Sequence, residues 1–102
     1  MNMIKFVKVA SSVNDTGVAY YLDWSKMEYI ETTATTVILH TLGTGINVSA
    51  FDTITITCAS GDSLKIADMI CQRIGSASQG DLVTVDKDFY GTSITTIIDA
   101  VV

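Results

Sequence analysis

The sequence predicts an α+β domain, a mostly antiparallel sheet or sandwich of about seven strands with one amphipathic helix over about 62–75. Two observations carry this expectation. In Thr53–Cys58 of the run Asp52-Thr-Ile-Thr-Ile-Thr-Cys58 every second residue is apolar (Ile54, Ile56, Cys58) and those between are all threonine, the period of a strand with one buried face. After the polar break Ala59-Ser-Gly-Asp62 the apolar residues recur every three or four positions, which is the period of a helix.

The elements follow in order. Ile4–Ala10 is a strand with apolar residues on both faces, Ile4 and Phe6 against Val7 and Val9. Asn14-Asp-Thr-Gly17 signals a turn, because Asn and Asp bond their own backbone and Gly accepts positive φ. Val18–Trp24 is an aromatic-rich strand, and Ser25-Lys26 tips a tight connection into Met27–Thr32. Thr35–Leu42 is rich in β-branched residues, a strand composition. Gly43-Thr-Gly45 turns the chain into a weaker strand or an extended loop at Ile46–Ala50.

Asp62 or Ser63 is placed to cap the helix with a side-chain oxygen. Leu64, Ala67, Ile70, Cys71 and Ile74 form its apolar stripe, with Lys65, Asp68 and Gln72 opposite. Gly75 stands where a helix ends in the left-handed conformation, and Ser76–Gly80 is a polar loop. Leu82–Val85 and Ser93–Val102 are the last strands, joined by Asp86–Gly91; Thr96 and Ile97 break the alternation of the final one. No proline is present, so the sheet edges must be managed by charge, by closure or by a neighbouring subunit.

At 102 residues the chain is one domain, residues 1–102. It is 48% hydrophobic and 17% charged, with a mean hydropathy of +0.40. That is more apolar side chain than a small monomer readily hides, and a homo-oligomeric interface would absorb the surplus. A net charge of −5 with only six Lys and Arg argues against nucleic-acid backbones and anionic membranes. No run reaches the length of a transmembrane helix, and Lys5 falls where the apolar part of a signal peptide would lie; a cytoplasmic protein is expected. Cys58 and Cys71, both placed inward on consecutive elements, read as reduced, buried thiols, with a disulfide between them as the alternative.

Chemistry-bearing patterns are sparse. His40 is the single histidine, mid-strand, and no Gly-x-Ser-x-Gly elbow supplies a nucleophile for it. His40, Cys58 and Cys71 are scattered singly, without the spacing of a zinc site. Asp86-Lys-Asp88 resembles the start of a calcium loop, but Tyr90 replaces the third ligand and Ile97 the bidentate carboxylate. Neither a dinucleotide fingerprint nor a P-loop is present. No catalytic residue, metal or cofactor is assigned. The candidate interface or pocket residues are the aromatic group Tyr20, Tyr21, Trp24 and Tyr29, and the threonine row Thr53, Thr55 and Thr57.

The stretch Met27-Glu-Tyr-Ile-Glu-Thr-Thr-Ala-Thr-Thr-Val-Ile-Leu-His40, followed by Asp52–Cys58, resembles small orphan proteins of marine tailed phages of the cyanophage type. In these a threonine-rich strand, a Gly-containing turn and an alternating strand lead into one amphipathic helix. The resemblance covers roughly residues 27–74 and carries over no functional residue. It implies a virion-associated, oligomeric protein made in the host cytoplasm, with other virion proteins as partners. The expected function is a structural or interaction subunit forming a homo-oligomer, with a trimer as the expected assembly. The alternative is a small-molecule-binding module with a pocket between helix and sheet near Tyr20–Trp24, and an enzyme ranks third.

Overall fold

A computed structural model describes residues 3–41, 53–77, 80–91 and 93–100. The fold is α+β: seven strands and one helix among the described residues. The strands are β1 (Met3–Ala10), β2 (Val13–Asp23), β3 (Met27–Thr32), β4 (Thr36–Thr41), β5 (Thr53–Cys58), β6 (Leu82–Val85) and β7 (Ile94–Ala100), and α1 (Ser63–Ser76) follows β5. The hydrogen-bonded path runs β2-β1-β7-β5-β4-β3, all antiparallel, and β6 adds in parallel to β1. The turn at Gly43–Gly45 and the strand expected at Ile46–Ala50 lie outside the described residues.

β2 and β3 stand at opposite ends of that path, yet only the 3₁₀ turn Trp24–Lys26 joins them. Five strand spacings would separate them by about 24 Å in a flat sheet. The link from Asp23 to Met27 reaches at most about 15 Å. The sheet therefore curls until its two ends approach, and Trp24, Met27, Ile30 and Tyr20 pack against the core along this seam. On the concave side Ile4, Phe6, Val9, Val37, Leu39, Ile54, Ile56 and Ile97 are fully buried, and α1 adds Ile66, Ile70 and Ile74.

Several elements differ from the sequence expectation, each for a local reason. The hairpin between β1 and β2 turns at Ser11-Ser12, both at positive φ (52° and 63°), with Ala10 opposite Val13. Asn14–Gly17 is no turn. It swells β2 into a bulge, since Val7 pairs with Ala19 and Val9 with Asn14, and the Gly17 N–H donates to Asp15 Oδ1. The same register break leaves Val9 buried with Ile4 and Phe6, so β1 has one core face rather than two. In β7 the break between Thr57 and Cys58 makes Thr95 the extra residue: Ile94 and Ile97 are buried and Ile98 is exposed.

The helix stripe is Ser63, Ile66, Ile70 and Ile74, with Ala67 partly covered. Leu64 and Cys71 stand roughly 90° off its centre and are exposed, which corrects the inward placement of Cys71. Asp62 holds the N-cap position without a side-chain cap, and Gly75 lies inside α1, which ends at Ala77 in extended backbone. Both cysteines are free. No helix among the described residues is long and apolar enough to cross a membrane.

Candidate functional site: an outer sheet face

Strand alternation sends half of each strand's side chains to the convex face. On β3, β4, β5 and β7 the pairing lines them up in rows. Tyr29, His40 and Thr53 form one row, Glu31, Ile38, Thr55 and Ile98 the next, and Thr36, Thr57 and Thr96 a third. Threonine, isoleucine and aromatic residues fill these rows, and Glu31 alone carries a formal charge at neutral pH among the described members. Thr53 is buried, Thr55, Thr57 and Ile38 are half-buried, and Ile98 and Tyr29 are exposed. The threonine row thus lies on the outer face, only partly open to water.

At the β3 edge the Tyr29 and His40 rings stack with centroids 4.1 Å apart and planes 11° from parallel. His40 Nε2 lies 3.1 Å from Glu31 Oε1. Tyr29 faces His40 directly across the strand pair, so the stack is a cross-strand contact set by register. The edge of β3 also carries Glu28, the extra residue of a bulge between Met27 and Tyr29, and Glu31; these charges disfavour strand addition there.

The four aromatic candidates do not gather. Tyr20, opposite Phe6, leans to the concave side, and Trp24 packs at the seam. Burial, followed by a hydrogen bond to Asp99 and that carboxylate's charge, pushes the Tyr20 hydroxyl above its ordinary range. Tyr21, one residue along, faces outward with Lys5 Nζ 5.8 Å from its ring centroid. Tyr29 is exposed at the other end of the path. Adjacent strand residues such as Tyr20 and Tyr21 must face opposite ways, so this separation was readable from spacing alone. His40, Cys58 and Cys71 likewise lie on the outer face, in the core and on an exposed helix flank.

Two surface grooves are formed by described residues. One, of about 460 Å³, lies between the last turn of α1 (Arg73, Ser76, Ala77) and β6 (Leu82–Thr84). The other, of about 510 Å³, lies on the outer side of β1 and β2 over Lys5, Val7, Ala19 and Tyr21. The β2 bulge walls it, tied to the loop after β6 by the Lys87 N–H donating to Asn14 Oδ1 at 3.2 Å.

The β3–β4 connection anchors the start of the helix. Cys58 N–H, Gly61 N–H and Ser63 Oγ donate to the successive carbonyls of Thr35, Ala34 and Thr33. Gly61 takes φ +94°, a backbone state that glycine alone adopts without strain. Those three bonds hold α1 against the concave side and leave the convex rows uncovered by it. The chain matches no protein family, no curated protein and no solved structure.

Proposed function

We propose that the chain is a structural or interaction subunit that assembles with further copies of itself through the outer face of β3, β4, β5 and β7. The observation that supports this reading is the charge pattern. A molecule of net charge −5 keeps one broad sheet face almost free of charge and lines it with isoleucine and threonine. Copies carrying the same excess charge meet at lowest electrostatic cost where neither presents it. The resemblance to tailed-phage proteins supports a virion-associated setting for the assembly, with three copies as the expected number.

Sedimentation equilibrium over roughly 1–100 μM tests the proposal, a range spanning ordinary subunit affinities. The expected result is a multiple of the 10.9 kDa chain mass. Ile98→Lys, at an exposed position that the fold tolerates, is expected to return the chain to monomers with unchanged circular dichroism. A monomer across the whole range overturns the proposal.

A second reading, a small-molecule-binding module, is favoured by the groove between α1 and β6, which none of the Tyr20–Trp24 residues expected at such a pocket lines. It is tested by screening small anions and metabolites for a rise in melting temperature. A rise that Ser76→Trp abolishes supports it, and a flat screen counts against it.

A further inference from the structure

His40 is the one member of the outer face whose side chain ordinarily changes charge near neutral pH. Among the described residues, register identifies its neighbours. From β3 it meets Tyr29, stacked on the ring, and Glu31, whose Oε1 is 3.1 Å from Nε2. From β5 it faces Thr53, with Thr55 beside it, and neither titrates. Beyond β5, register places Ala100 of β7 in the same row, with Ile98 and Thr96 in the next two. The helix lies on the other side of the sheet. Of the two carboxylates on the β3 edge, Glu28 and Glu31, Glu31 is the one that bonds the imidazole.

We propose that His40 and Glu31 make self-assembly through this face pH-dependent, association tightening in mild acid. The inference rests on the outer-face assembly proposed above. With the imidazole neutral, each copy brings one uncompensated Glu31 carboxylate into a face that association would dry. Burying an unpaired charge is costly, and copies of the same carboxylate repel. When the imidazole takes a proton, the pair becomes neutral overall and its hydrogen bond becomes that of an ion pair. Such a pair is worth little in open water; its effect appears when water leaves. Tyr29, stacked flat on the ring, holds the imidazole in place and offers its π face to the cation.

Association constants measured by sedimentation at about pH 7.5 and about pH 5.5, across the ordinary histidine titration, test this. The wild-type constant is expected to rise at least roughly tenfold, since each proton taken up on association contributes a factor of about ten per pH unit. His40→Gln should keep the weaker association at both pH values. Glu31→Gln should associate tightly at the higher pH and weaken on acidification, because an unpaired imidazolium then enters the face. A wild type that associates equally at both values overturns this inference and leaves the assembly reading standing. So does a His40→Gln chain that tightens as much as wild type. A chain monomeric at every pH and concentration overturns the assembly reading itself.

Discussion

The Asp62 carboxylate accepts two hydrogen bonds from Ser93, from its hydroxyl at 2.7 Å and its backbone N–H at 3.2 Å. The Ser93 hydroxyl in turn accepts from the Ala59 N–H at 3.0 Å. A residue placed by sequence to cap α1 instead ties the helix entry to the start of β7. The orphan N–H groups of the helix start gain nothing from its side chain, and the tertiary link takes that oxygen.

These bonds hold the Asp62 carboxyl below its ordinary range, the Ser93 hydroxyl contributing most and its N–H next. Because the folded value is the lower one, the linked stability is present above the unfolded carboxyl range near pH 3.9. It is lost as pH falls through the folded value. Ser93→Ala should raise the Asp62 titration midpoint, followed by NMR. It should also lower the melting temperature at neutral pH by an amount that shrinks below about pH 4. An unchanged Asp62 midpoint in that variant would count against the link.

The two thiols should separate in the native state. Cys71 is exposed, whereas Cys58 is buried beneath the β3–β4 connection, and burial followed by the Asp62 charge pushes its thiol up. Thiol titration of the native protein at about pH 8 is expected to give one fast equivalent, and the second only on unfolding. Cys71→Ser should remove the fast phase with little change in stability.

Ile70 and Leu64 divide the helix. Ile70 is fully buried on the stripe, so Ile70→Ala should cost about 2–5 kcal/mol in urea unfolding. Leu64 is 65% exposed, and Leu64→Ala should change stability by less than about 0.5 kcal/mol. A large loss at Leu64 in the monomeric range would contradict the helix orientation.

The Ser11-Ser12 turn asks two serines for positive φ. Ser11→Asn with Ser12→Gly supplies the residues that such a two-residue hairpin favours. The double variant is expected to gain about 0.5–1 kcal/mol, read as a higher urea midpoint at constant slope.

At the alkaline end, Tyr20 is held protonated by burial and by Asp99. A raised folded value means stability that is present below the unfolded tyrosine range near pH 10. That stability is lost as pH rises through the folded value. Asp99→Asn should lower the Tyr20 midpoint in a spectrophotometric titration.

Period and composition made β5, α1 and β6 legible, because Ile54, Ile56, Ile66 and Val83 repeat at spacings set by backbone geometry. What misled was local insertion. The bulge at Asn14–Gly17 uses the same residues as a turn, so its chemistry was recognisable and its topology was not. Thr95 shifts the phase of β7 by one residue and sends Ile98 to the outer face, where helix and strand periods give no warning. Tyr29 and His40 are eleven residues apart in the chain, and only the β3–β4 register shows that they stack. The curl of the sheet, too, depends on strand order, which no single segment encodes.

Val9 of β1 pairs with Ile97 of β7, and the first half of β1 pairs with β6. A ribosome that has released β1 and β2 has therefore made a hairpin whose inner edge has no partner until β6 and β7 have also emerged. Contacts between such distant segments close the largest loops and slow folding. Until those contacts form, Ile4, Phe6 and Val9 lack the partners that bury them in the fold, and apolar strands exposed in this way are prone to aggregation.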